Sequence, residues 1–303
     1  MLTRRTFLKL AGSGVLAATA LGSYAFGIEP LARLKTTYYK PKLANWPEGL
    51  NLRIVALADI HACKPWMRAE RIRHIVQEAN ALKPDMIMLL GDYTTGMNWV
   101  SEQVHSHEWA PVLGELEAPL GVYAVMGNHD WWEDRAAQRN GHGPTFGHRA
   151  LEKAGIKVLE NDAIQLKKDK QKFWISGLGD QLAFLPFKKY GRRSWQGVDD
   201  MDALLEKVTD DAPVIMMAHE PDIFPKVPNR IALTLSGHTH GGQVQFLGHA
   251  PVTTSGQKLN YGHVRDGDKH LIVSGGLGCS IMPVRFGVPP EIVLIETGSE
   301  QVA

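Results

Sequence analysis

Residues 52–61 read Leu-Arg-Ile-Val-Ala-Leu-Ala-Asp-Ile-His, an apolar, β-rich run over 52–58 that closes on an acid and a histidine. A strand buried on both faces of a parallel sheet has this composition. Four more bounded apolar runs follow, and each closes on polar residues of the kind that bind metals. Residues 86–90 lead into Gly91-Asp92, 122–126 into Gly127-Asn128-His129-Asp130, 214–218 into His219, and 231–235 into Gly237-His238-Thr239-His240. Between the first two runs, Ile72, Ile75, Val76, Ala79 and Leu82 recur at helical spacing until Lys83-Pro84 stops the pattern. This is a βαβ unit. Further helical patterns lie near 101–116, 146–154 and 199–208, and residues 173–177, 271–274 and 292–295 supply more strands. The fold class is α/β, with strands enough for two sheets.

In open α/β sheets ligands bind beyond the carboxyl ends of the strands, so these five endings would converge on one crevice. Glycines at 91, 127, 237, 241 and 242 fit backbone crowded around an ion or a phosphate. Taken singly, each ending has a plain explanation. An acid after a strand is a turn residue or a cap, and a His-x-His such as His105-Ser106-His107 is a solvated accident. Taken together, five strand ends that carry nitrogen or oxygen ligands and no thiolate point to a shared metal centre. Carboxylate, imidazole and amide suit Mn, Fe or Zn in a catalytic site, rather than a cysteine-rich structural zinc or an all-oxygen calcium site. Asp59, His61, Asp92, Asn128, His219, His238 and His240 are too many for one tetrahedral ion, whereas two divalent cations about 3.5 to 4 Å apart that share one carboxylate would use them all. Such a centre stays strongly positive and favours an anionic substrate, of which a phosphate ester fits best. If the segment around 238–240 is extended, the two histidines point to the same side about 6 to 7 Å apart and take one ion each.

Asp59-x-His61, Gly91-Asp92, Gly127-Asn128-His129-Asp130, His219 and Gly237-His238-x-His240, in that order, resemble the signature of the calcineurin-like metallophosphoesterases. The ending Pro283-Val284-Arg285-Phe286-Gly287-Val288-Pro289-Pro290-Glu291-Ile292, with the start of the chain, is similar to an exported bacterial phosphodiesterase branch of that family. The resemblance implies a four-layer sandwich of two mixed β-sheets flanked by helices. It implies Asp59, His61 and His240 on one ion, Asn128, His219 and His238 on the other, and Asp92 between them. His129 would contact the phosphate or protonate the leaving group, after attack on phosphorus by water that the ions activate. Relatives with Gly-Asp-x-x-Asp have a carboxylate that orients this histidine. Thr95 stands at that position here, which leaves Asp130 and Asp134 as substitutes. The implied activity is a phosphodiesterase on an envelope or lipid-linked phosphoester. A phosphomonoesterase with the same site, and a metal-binding module without catalysis, are the alternatives.

Lys+Arg 33 against Asp+Glu 32 gives a formal charge of +1, which excludes the basic excess of a general nucleic-acid binder. Hydrophobic content of 44% suffices for a sizeable core. Thr3-Arg4-Arg5-Thr6-Phe7-Leu8-Lys9 precedes an uncharged stretch over 10–28, so residues 1–28 read as a twin-arginine-type signal or a membrane anchor. That start implies the twin-arginine export machinery as a partner and a destination in the periplasm, the cell wall or the outer face of the cytoplasmic membrane. Residues 29–50, with Pro30, Pro41 and Pro47, read as a linker to a catalytic domain over 51–298. Cys63 and Cys279 allow at most one disulfide. Aromatic and basic residues between Phe184 and Trp195 suit either a membrane interface or a surface loop that closes the core. Trp66, Trp131 and Trp132 either wall the substrate cleft or pack, and Arg285 is a candidate phosphate contact.

Overall fold

The computed structural model describes residues 3–298 apart from 45, 187, 190, 191 and 194. Two six-stranded mixed sheets lie at its centre. In the first, Leu52–Leu57, Met86–Leu89, Val122–Ala124 and Lys157–Val158 run parallel, and Glu291–Thr297 pairs antiparallel to Leu52–Leu57. In the second, Gln171–Gly177, Val214–Met217, Ile231–Ser236 and Lys269–Val273 run parallel, with Asp162–Lys168 and Gly262–Asp266 as antiparallel edges.

Side-chain alternation along the first strand builds the layers. Leu52, Ile54 and Ala56 face the second sheet and pack with Phe173, Ile175, Ile215, Met217 and Leu233, whereas Val55 and Leu57 face helices. Ala69–Ala81 presents Ile72, Ile75, Val76 and Ala79 to that outer face, beside Trp109 of Ser106–Leu113 and Leu151 of Phe146–Lys153. Beyond the second sheet, Val214, Met216 and Leu271 pack on Leu204, Ile223 and Phe224 from the Met201–Glu206 and Pro221–Lys226 helices. The result is the expected sandwich. Each fully buried Leu, Ile or Met in these clusters contributes about 1.5 to 3 kcal/mol.

The linker expected over 29–50 is corrected in part. Lys35–Tyr39 is a strand that pairs parallel to Glu291–Thr297, because Thr36, Thr37, Tyr38 and Tyr39 are good strand formers and fit a half-exposed sheet edge. Ahead of it, Arg4–Ser23 is an α-helix capped by Thr3, without a buried residue, and it continues through Tyr24–Ile28 into Glu29–Ala32. By length and composition Arg4–Ala32 is able to cross a membrane, a test that N-terminal signals also pass. Cys63 and Cys279 are both buried as free thiols. Of the aromatic and basic stretch, much lies outside the described residues; at its ends Phe184 meets Trp131 edge-on and Trp195 stacks on Trp132.

Candidate metal centre

The parallel strands deliver their carboxyl ends to one rim, and there the seven residues singled out in the sequence meet. Asp59, His61, Asp92, Asn128, His219 and His240 are buried, while His238 and His129 are partly open to solvent. Two groups of ligand atoms form. Asp59, His61 and His240 make one, Asp92, His219 and His238 the other, and a third combination joins His61, Asp92 and His129. Asp92 Oδ2 lies 3.5 Å from His61 Nε2 and 3.2 Å from His219 Nε2, so a single carboxylate oxygen reaches both groups. Asn128 Oδ1 lies 2.9 Å from His238 Nδ1, which adds the amide to the second group.

Outer contacts fix which nitrogen faces inward. His61 Nδ1 meets the Thr94 carbonyl at 3.1 Å and His219 Nδ1 the Leu90 carbonyl at 2.6 Å; a nitrogen that donates there leaves the Nε2 lone pair of a neutral ring pointing at the centre. His61 and His240 stack with their Nε2 atoms 3.0 Å apart, and His240 Nε2 is 3.7 Å from Asp59 Oδ1. The backbone is bent to achieve this. Asp59, His61, Asp92, His238 and His240 all adopt left-handed φ angles, between 47° and 70°. Such angles cost about 1 to 3 kcal/mol each and concentrate at functional sites. The extended segment expected through His238 and His240 is therefore corrected. Two left-handed residues turn the chain, so His240 lies against His61 while His238 stands edge-on to His219.

Burial and charge set the protonation states. Burial lowers His61 and His238 to about 3 and His240 well below its ordinary value, so these rings are neutral and able to ligate. Burial also raises the Asp59 carboxyl to about 7. For Asp92, burial is outweighed by His219, His129 and His61, which together hold its carboxyl well below the usual carboxylate range. His219 moves up for the converse reason, because Asp92 outweighs burial and holds positive charge on the ring. A divalent cation between His219 and Asp92 supplies that same charge. Asp59 Oδ2 and His219 Nε2 are buried without a hydrogen-bond partner, the latter too poorly aligned with Asp92 to bond. Orphaned buried donors and acceptors at the focus of seven nitrogen and oxygen ligands fit two divalent ions.

Close approach of backbone is built in. A Cβ on Gly127 would lie 2.4 Å from Asp92 Oδ1 and 2.8 Å from His219 Cε1, so only glycine lets these two ligands touch the loop. Asp130 has a role that the sequence did not disclose. Its carboxylate accepts from the backbone N–H groups of Asp92, Tyr93, Thr94 and Gly127 and so ties the second strand end to the third. Asp134 accepts from Ala136, Ala137 and Phe146. Neither acid is therefore free to orient His129. Besides Asp92, the carboxylate near that ring is Glu133, since a Cβ on Gly96 would lie 2.5 Å from His129 Nδ1 and 2.8 Å from Glu133 Oε1. His129 itself is held by its backbone N–H donating to Asp92 Oδ1 at 2.8 Å, with its ring edge-on to His61 and beside Trp132.

Arg285 requires a second correction. It is fully buried, its guanidinium donates to the carbonyls of Gly278 and Val288, and Nη2 lies 3.3 Å from His240 Nδ1. A side chain so enclosed does not meet substrate; it fixes the plane of the His240 ring. Of the tryptophans, Trp131 is core, Trp66 donates to the Trp99 carbonyl, and Trp132 flanks the site.

The sequence pattern of the calcineurin-like phosphoesterases matches residues 52–242. The chain is 30% identical to YkuE of Bacillus subtilis, described as a metallophosphoesterase, over 97% of this chain and 96% of that one. A metallophosphoesterase of Aquifex aeolicus is 29% identical over 86% of this chain and 91% of its own length. The phosphodiesterase YaeI of Escherichia coli is 26% identical over 98% and 99%.

Proposed function

The chain belongs to the calcineurin-like phosphoesterase family, and from that premise we propose that it is an exported phosphodiesterase acting on an envelope or lipid-linked phosphoester. The observation that carries the proposal is Asp92 Oδ2 within 3.5 Å of His61 Nε2 and 3.2 Å of His219 Nε2, one carboxylate oxygen between two ligand groups. Asp59, His61 and His240 would hold one ion, Asn128, His219 and His238 the other, and Asp92 both. Mn, Fe and Zn are the metals this donor set suits. When bound, the two cations supply Lewis-acid polarisation of the phosphoryl oxygens and a water acidic enough to act near neutral pH.

The rest of the chemistry belongs to the chain. Asp92 fixes His129 through its backbone N–H, and Asp130 fixes Asp92 through its own, so ligand and acid move as one unit. His129, at the open side of the cluster, holds a proton on its imidazole for the departing oxygen. Glu133 lies on the other side of Gly96 from this ring. The diester assignment is supported by the name of the Escherichia coli relative, and the exported location by the arginine pair ahead of an apolar helix. Hydrolysis of bis(4-nitrophenyl) phosphate by metal-loaded protein, compared with the monoester 4-nitrophenyl phosphate, tests it. Faster turnover of the diester is expected, and cleavage of the monoester alone would overturn the assignment.

A further inference from the structure

The N-terminal helix does not end in solvent. Tyr24 meets Phe286 edge-on with ring centres 6.1 Å apart, the Ala25 carbonyl accepts from Arg285 N at 2.9 Å, and Arg71 donates to the Leu31 carbonyl. Ala25 and Pro30 are buried against the domain. Upstream of that contact, residues 6–23 carry one charge, Lys9, and span about 27 Å as helix, close to the ~30 Å of a hydrocarbon core. Arg4, Arg5 and Lys9 stand at the far end, the sign that orients a helix with its start on the cytoplasmic side. If this helix spans a bilayer, the lipid surface lies where it meets Phe286.

That place carries exposed apolar side chains. Phe246 stacks on Phe286 at 5.7 Å, and next to it Leu247 is 96% exposed. Ile281 is 77% exposed, with Met282 beside it, and Phe26 and Ile28 face out from the helix end. Leu247 and Ile281 both sit at left-handed φ angles, 49° and 59°. For β-branched Ile281 this conformation is a true outlier, so backbone strain accompanies the exposure of its side chain. The same surface adjoins the metal centre. Gln243, three residues after His240, donates to the Met282 carbonyl at 3.2 Å and accepts from Ser280 N at 2.6 Å.

We infer that Phe246, Leu247, Ile281 and Met282 form a membrane-contact face, inserted into the headgroup region of the bilayer that the N-terminal helix crosses, so that the metal centre is held at the lipid surface. Apolar tips beside an anchoring helix bury area in the interface as amphipathic segments do. The inference rests on the envelope location proposed above and narrows the substrate to phosphoesters whose headgroup stands at a membrane surface.

The test uses the full chain reconstituted into vesicles of phosphatidylcholine and phosphatidylglycerol. Leu247→Cys and Ile281→Cys, each labelled with an environment-sensitive nitrobenzoxadiazole probe, report the face. Lys170→Cys, in the turn before Gln171–Gly177 at the opposite end of the parallel strands, is the control. Native Cys63 and Cys279 are buried, and the unsubstituted chain measures any labelling of them. Expected are blue-shifted emission, quenching by brominated lipid and a several-fold loss of iodide quenching at 247 and 281, with none of these at 170. Probes at 247 and 281 that behave as at 170 would overturn the inference. So would probes shielded from both quenchers, since a second copy of the chain would then cover the face. No hydrolysis is measured, so a chain that contacts lipid but cleaves no diester would sink the proposed function and leave this contact standing.

Discussion

Asp92 is where the two halves of the cluster depend on one atom, and its substitution separates the account from a one-ion site. Asp92→Asn keeps the shape and removes the charge that draws both cations. Turnover of bis(4-nitrophenyl) phosphate should fall at least about a hundred-fold, and elemental analysis should show metal lost from the folded protein. His129 makes the contrasting case. Its backbone N–H is tied to Asp92 and its ring stands at the edge of the cluster beside His61, partly open to solvent, so His129→Ala should lower turnover by about 10² to 10⁴-fold while metal content stays at the wild-type value. Equal loss of metal would make it a ligand instead. Gly96→Ala reaches the same ring indirectly. Its Cβ would stand 2.5 Å from His129 Nδ1 and push the imidazole off its line, which should reduce turnover at unchanged metal content. Wild-type rates in that variant would show that the ring position is not critical.

At the scale of elements, the site is a set of loop ends tied together from behind. Asp130 gathers four backbone N–H groups from two strand ends, and burial, with the negative charge of Asp92, raises its carboxyl to about 7 against the pull of those amides. Asp130→Ala leaves those donors unpaired in a closed space. Unfolding in urea should show a loss of at least about 3 kcal/mol, with weaker metal binding in the protein that remains folded. Unchanged stability would mean that the loops hold their shape without it. The buried parallel strands were legible in the sequence because burial on both faces leaves continuous apolar runs, as in Leu52–Leu57 and Val214–Met217. Lys35–Tyr39 was not. It is a half-exposed edge strand of threonines and tyrosines, and its partner is Glu291–Thr297, far along the chain. The turn at His238 and His240 was hidden for a different reason, since left-handed backbone at non-glycine residues follows from what surrounds the loop and not from local preference.

Across the whole molecule, ligands from both sheets meet only in the folded chain, so metal and fold should be linked. At an ion concentration a hundred times the dissociation constant, each independent ion that binds only the native state adds about 2.7 kcal/mol, seen as a rise in melting temperature that a chelator reverses along with activity. The arginine pair ahead of the apolar helix predicts that Arg4→Lys combined with Arg5→Lys keeps the full-length protein inside the cell, as read by protease protection in spheroplasts. Secretion at the wild-type level would exclude that route. The ligand residues were readable from sequence because each stands at the end of an apolar run. What holds them was not: Asp130 acts on backbone amides, and Arg285 reads as an anion contact until its burial shows it spent on carbonyls and His240. The claim on which the rest depends is a pair of ions joined by Asp92. Titration of metal-stripped, folded protein with Mn, Fe or Zn, followed by elemental analysis, tests it most directly. Two ions per chain in the wild type and fewer in Asp92→Asn are predicted, whereas a folded wild-type chain that binds one ion or none would contradict it.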